Sequence, residues 1–388
     1  MISKIILSAL LLFPHFLFSQ IKCDTLLNLI AADGVEHIRA KINDRHIVNL
    51  ISINLLKQDL QLQTYRADSL QRTSSQVILN EEKQNHVIAA LNGDFFSFQT
   101  GFPLNAHLQN GLPIYFPNFI RTQLLISDNN KPFFENSKLE ILGIIKTDTF
   151  EIDGVNKLTV GNKIKLYNKF GALHKIKSSN NLIGFNLLNQ PKSLDDTLFL
   201  FPNKLSANIF PINYDYLVAI PENKLSQTNL NLEDTLKVIF KLTPQINNVK
   251  NIISGFGHLL KDNAILEDSW QKDNIPKSFK ETEHPRTLIG FNSDTTKFYF
   301  IVADGRQTTS TGMSFKTMVE VLQFWEITNA LNLDGGGSST MVIHNKIVNS
   351  PSDISGERSV ANSLQLISKA PLKKFILDRK NYLRLFPN

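Results

Sequence analysis

Two carboxylates in this chain each close an apolar run and are each followed by glycine: Asp304 in Phe300-Ile-Val-Ala-Asp-Gly-Arg306, and Asp334 in Leu331-Asn-Leu-Asp-Gly-Gly-Gly337. An acid placed where a strand leaves a sheet is held by a rigid element, and the glycine beside it lets a ligand approach the backbone. A lone Asp-Gly is usually a turn. Three glycines in a row ask for more, because each one weakens a fold unless its freedom or its missing side chain is used. The stretch Gly335, Gly336, Gly337, Ser338 and Ser339 is therefore expected to present N–H groups and hydroxyls to an anion. No Gly-Lys-Ser/Thr follows at nucleotide-loop spacing.

A second set supplies cations: Arg286 in His284-Pro285-Arg286-Thr287, Arg306 beside Asp304, and Arg358 after Glu357. A guanidinium offers a planar fork of donors that fits phosphate or carboxylate, so several forks around one acid suit an anionic substrate. A third set is Asn92-Gly-Asp-Phe-Phe96, where Asn92 and Asp94 alternate and so point the same way from an extended chain. The histidines show no ligand spacing, and neither an EF-hand nor a Gly-x-Ser-x-Gly elbow is present. The reading is a site without metal or cofactor, with Asp334, Asp304, Glu357 and His284 as acid, base or nucleophile candidates. Asn92, Asp94, Arg286, Arg306, the glycine loop and Arg358 are the substrate-binding candidates.

Positioning these residues requires strands that end at them. The alternation in His46–Asn54 and Leu60–Gln63 predicts strands near the N-terminus, and 74–85 reads as a helix leading into a buried strand that ends at Asn92. Short apolar runs such as Leu124–Ser127, Leu139–Ile145 and Leu236–Leu242 predict antiparallel strands through 105–270. Beyond Pro285 the texture becomes strand, loop, helix, strand: Lys297–Ala303, a helix capped by Ser314 with Phe315, Met318, Val319, Leu322 and Trp325 on one core stripe, then Ala330–Leu333. The expected class is α+β, with mixed, largely antiparallel sheets and a few flanking helices in a single large domain.

The 388 residues carry a net charge of +6 with scattered lysines, which favours anionic partners but carries no nucleic-acid motif. Residues 1–19 begin with Lys4, run apolar from Ile5 to Phe18 and end in Ser19, the pattern of a cleaved export signal. That run, interrupted by Pro14, is short of the roughly 20 residues a spanning helix needs. No transmembrane segment is expected in the mature chain, and the expected location is secreted or periplasmic. The single cysteine, Cys23, leaves no intrachain disulfide to expect.

Taken in order, Asn92–Phe96, Pro285-Arg-Thr287, Ala303–Arg306, Thr311-Gly-Met313, Ala330–Met341 and Glu357-Arg358 with Asn362 resemble the phosphodiester glycosidase family, whose bacterial members include exopolysaccharide-type proteins. The resemblance spans 33–368, with a divergent middle at 105–270 that shares only Ile253–His258, and leaves 369–388 as a tail. It implies hydrolysis of the bond between an anomeric carbon and a phosphodiester, with N-acetylglucosamine as the sugar in the animal enzyme and a phosphorylated carbohydrate as partner. The departing phosphate monoester is already a stable anion, so cations on the phosphate and a carboxylate at the sugar matter more than a strong acid. Two other readings stay open at this point: a phosphodiesterase attacking phosphorus, and a non-catalytic anionic-glycan-binding protein.

Overall fold

The computed structural model describes residues 21–117, 119–157, 162–171, 180–202, 214–225 and 234–370; the segment 1–19 expected to be an export signal and 371–388 of the tail lie outside the described residues. Among the described residues strand accounts for 48% and helix for 11%, so the fold is more strand-rich than an even α+β mixture.

The site rests on an eight-stranded sheet ordered Cys23–Ala32, Val35–Ile42, His46–Asn54, Lys297–Ala303, Arg286–Phe291, Asn329–Asn332, His258–Lys261, Ala264–Ile265, with every pairing antiparallel. It begins at Cys23, ahead of the boundary at 33 expected from sequence. Strand Lys297–Ala303 shows why such runs are apolar throughout: Phe298, Phe300 and Val302 enter one core while Tyr299, Ile301 and Ala303 enter the opposite one. Alternate side chains point to opposite faces, and both faces are covered.

One cover is the helix Phe315–Phe324, capped as expected by Ser314 Oγ, which accepts from the Thr317 N–H at 3.2 Å. Its stripe of Phe315, Met318, Val319 and Leu322 is buried core. The other cover is a five-stranded sheet built from Lys346–Ile347, Met341–Ile343, His86–Asn92, Ser363–Ser368 and Leu60–Tyr65. Ile88, Leu91, Met341, Leu364 and Leu366 of this sheet close the core against Ile289, Phe300 and Leu331. The predicted helix before Asn92 runs Thr73–Glu81.

The middle segment forms a seven-stranded antiparallel sheet with its own core, including Ile141, Phe185, Leu200, Val218 and Phe240. A second five-stranded sheet joins it to the rest, because strand Gln123–Ser127 sends Leu124 and Ile126 into one core and Leu125 into the other.

Candidate active site

Strand pairing brings the motifs to one edge. In the ladder Arg286 pairs with Ala303, Leu288 with Asn332, and Leu331 with His258, so the segments beyond Ala303 and Asn332 and those before Arg286 and His258 emerge at the same end of the sheet. The end of His86–Asn92 arrives from the covering sheet: the Asp334 N–H donates to the Gly93 carbonyl at 3.0 Å, and Asn92 Nδ2 donates to the Asp334 carbonyl at 2.7 Å. Asn92 Oδ1 accepts from Thr287 Oγ1 at 2.7 Å and from the Thr340 N–H at 3.1 Å. Asn92 is thus a fully buried bracket for the loops around the acid.

Two carboxyls, Asp334 and Asp94, lie within electrostatic reach of each other here. Burial pushes Asp334 up to about 6, against the Ser338 hydroxyl, the Gly335 N–H at 2.9 Å from Oδ1 and the charge of Arg358, which all favour the ionised form. Ser338 Oγ leans on that carboxyl without closing a full hydrogen bond. Burial drives Asp94 further, up to about 8; two bonds from Asn105 oppose the shift, and the like charge of Asp334 adds to it. Those bonds take both oxygens: the Asn105 N–H reaches Oδ2 at 2.9 Å and Asn105 Nδ2 reaches Oδ1 at 2.6 Å. Asp94 is therefore bonded internally to Asn105 within electrostatic reach of Asp334, where the sequence suggested a substrate contact. Nothing in the sequence singles out Asn105, which lies in the segment without shared motifs.

The glycines work by close approach. A Cβ on Gly335 would meet the Pro285 carbonyl at 2.7 Å, and one on Gly305 would meet the Gly312 backbone at 2.7 Å. Four of the five N–H groups expected to face an anion are instead spent inside the protein: Gly335 on Asp334, Gly336 on Pro285, Ser338 on Gly335 and Ser339 on Gly336. What the loop does offer is a seat for Arg306, whose guanidinium lies over Gly336 at 3.2 Å from a would-be Cβ. Arg306 is exposed, and among the described residues its guanidinium takes no hydrogen bond or ion pair. His284 stands near it, held below the usual imidazole range by burial and by the charges of Arg286 and Arg306.

The other candidates are placed differently. Asp304 is buried with Oδ1 accepting from the Ser350 N–H at 2.9 Å and Asn349 Nδ2 at 3.2 Å, and Arg39 stands 3.8 Å from Oδ2. Arg286 is 1% exposed and directs its guanidinium to the carbonyls of Met313, Phe279 and Thr282 at 2.9, 2.6 and 3.0 Å. Arg358 is in a bidentate pair with Asp353 at 2.8 and 3.0 Å. Glu357 accepts from the Ser74 N–H at 2.8 Å and from Ser74 Oγ, which makes it the cap of helix Thr73–Glu81. These four side chains brace the loops, and the physical reason is common to them: each has found internal partners for the groups a substrate would need. Among the described residues no cluster of three or more His, Cys, Asp or Glu side chains converges as a metal site.

Residues 202–367 match the family model described as phosphodiester glycosidase. This segment, less than half of the chain, is similar to the phosphodiester glycosidase family. The matched segment supplies His284, Arg286, Asp304, Arg306, Asp334, Glu357 and Arg358, while Asn92 and Asp94 come from outside it. A mouse protein named N-acetylglucosamine-1-phosphodiester alpha-N-acetylglucosaminidase is 33% identical over 102 residues, which is 26% of this chain and 19% of the mouse protein. This chain thus spans about a fifth of that curated relative's length. Two solved structures share the fold: a hypothetical protein from Synechocystis, at 18% identity and TM-score 0.65 over 87% of this chain and 62% of that one, and a protein from Burkholderia pseudomallei K96243, at 17% and 0.62 over 84% and 76%.

Proposed function

We propose that this protein hydrolyses a sugar-1-phosphodiester at the anomeric carbon, releasing free sugar and a phosphate monoester. The observation that carries this reading is the Asp94 and Asp334 pair, raised to about 8 and about 6, at a sheet end where Arg306 lies unpaired over Gly336. Near neutral pH the pair holds one proton, mostly on Asp94, and Asp334 is the carboxylate.

The chemistry then divides by position. The anomeric C–O bond breaks with its electron pair going to the phosphate, and Arg306 stabilises the negative charge that gathers there. Asp334 steadies the positive charge at the anomeric carbon and takes the proton of the water whose oxygen bonds to that carbon. Asp94 stays protonated because its buried site disfavours a second negative charge near that of Asp334. Asp304, the other sequence candidate for the anomeric side, is the poorer choice because it is 2% exposed, with Oδ1 taken by Ser350 and Asn349 and Oδ2 facing Arg39.

The setting we propose is an exported or envelope glycan, in the secreted or periplasmic space that the leader pattern of residues 1–19 suggests. Among the described residues no helix is long and apolar enough to cross a membrane. The test is to incubate the purified protein with a panel of sugar-1-phosphodiesters in ¹⁸O-labelled water. N-acetylglucosamine heads the panel because the mouse relative's name gives that sugar. Label on the sugar's anomeric oxygen is the expected result. Label on phosphate means attack at phosphorus, and binding without products means a glycan-binding protein; either outcome overturns the reading.

A further inference from the structure

The order of strands along the site edge places Asp334 between two guanidiniums that take no hydrogen bond or ion pair among the described residues. On one side, two strands from Asn329–Asn332, is the end of Lys297–Ala303 with Arg306; on the other, one strand away, is the start of His258–Lys261. Neighbouring strands lie about 4.8 Å apart, so both flanks are within the reach of a substrate of sugar size. Phe256 leads into the second strand, and its N–H donates to the Asn332 carbonyl at 2.8 Å; the Gly255 N–H donates to the Thr122 carbonyl at 3.1 Å. This chain of bonds sets Arg121 on the flank opposite Arg306.

Arg121 lies 4.2 Å above the Phe256 ring and 5.2 Å from that of Phe119, so aromatic surface fixes the plane of its guanidinium while the donor edge stays open. Asp273 feels its charge, yet among the described residues Arg121 takes no hydrogen bond or ion pair. Beneath it, half-buried Phe95, Phe256 and Phe279 form a triangle with ring centroids 5.6 to 6.1 Å apart. Phe95 directly follows Asp94, which joins this apolar surface to the acid pair.

We propose that Arg121 recognises an oxyanion carried by the sugar itself, so that the substrate is an acidic sugar joined to its phosphodiester. The inference rests on the proposed function: with the phosphodiester on the Arg306 flank and Asp334 at the anomeric carbon, the group on the far flank is the sugar. Its C–H face packs on Phe95 and Phe256, and the flat fork of Arg121 meets a carboxylate or a phosphate ester at its periphery.

The experiment compares kcat/KM for three hexose-1-phosphodiesters that share one aglycone: a neutral hexose, the corresponding uronic acid, and the hexose bearing a second phosphate at C6. The wild type should favour an anionic sugar at least about tenfold, and Arg121→Gln should lower that preference by about 10- to 100-fold, the worth of a charge-assisted hydrogen bond. Arg121→Lys, which keeps charge and loses the fork, should lie between. Whichever anionic sugar loses its advantage identifies the source of the oxyanion. A wild-type preference for the neutral sugar, or one untouched by Arg121→Gln, overturns the inference. Calorimetry on Asp334→Asn, alone and with Arg121→Gln, using glucuronate, glucose 6-phosphate and glucose as probes, reads the subsite without turnover. Tighter binding of an anionic probe that vanishes with Arg121→Gln supports the subsite even should no phosphodiester be cleaved; equal binding of all three overturns it.

Discussion

Asn92 Nδ2 donates at 2.7 Å to the main-chain carbonyl of Asp334, 242 residues further along the chain. One buried amide side chain thereby fixes where the backbone of Asp334 stands without touching its carboxyl. Its oxygen also serves Thr287 and Thr340, so Asn92→Ala strands buried polar groups on three segments. The expected cost is about 3 kcal/mol, checked by chemical denaturation, with kcat falling alongside because Asp334 loses its registration.

The two glycine-followed acids should separate in kinetics. Asp334→Asn removes the carboxylate at the anomeric carbon and should lower kcat/KM by about a thousandfold or more. Asp304→Asn disturbs a buried bracket to Asn349 and Ser350 and should chiefly lower the unfolding midpoint, with kcat/KM within about tenfold of wild type. Steady-state kinetics and thermal melts on both variants check the assignment; equal losses in kcat/KM would refute it.

The pH profile follows from the pair. Activity should rise as Asp334 ionises through about 6 and fall as Asp94 loses its proton through about 8. Asn105 opposes the upward shift of Asp94, so Asn105→Ala should move the alkaline limb to higher pH. A limb that stays in place would remove Asp94 from the profile.

Stability carries the same signature with a definite sign. The folded pKa of Asp94 lies above the roughly 3.9 of an unfolded aspartate, so the fold favours the protonated form. Its contribution is full at acid pH and is lost as pH climbs from about 4 to about 8, at no more than about 1.4 kcal/mol per pH unit. Asp94→Asn, which cannot ionise, should flatten that slope, as measured by denaturation at pH 5 and pH 8.

Arg306 and Glu357 give opposite expectations. Arg306→Gln removes the unpaired cation over Gly336 and should raise KM for a phosphodiester about 10- to 100-fold. Glu357→Gln weakens a helix cap and should cost about 1 kcal/mol of stability while kcat/KM stays within about twofold. Melting curves and kinetics on the two variants separate substrate contact from scaffold.

The amino-acid sequence by itself determined the strands that carry the site, the Ser314-capped helix with its buried stripe, and Asp334 at the head of the triple glycine. These are local properties: periodicity, capping and the rarity of consecutive glycines are all visible within a few residues. Only the tertiary structure decided which polar groups are spent internally. Arg286, Arg358, Glu357 and Asp304 look as available in sequence as Arg306 does, yet long-range packing supplies the first with carbonyls, the second with Asp353, the third with Ser74 and the fourth with Ser350. The same packing brings Asn105 onto Asp94 and sets Arg121 on Phe256, partners fixed by how strands cross in space rather than by any spacing along the chain. Whether an ionisable side chain does chemistry or holds a loop depends on what fills its hydrogen bonds, and that is a property of the folded neighbourhood.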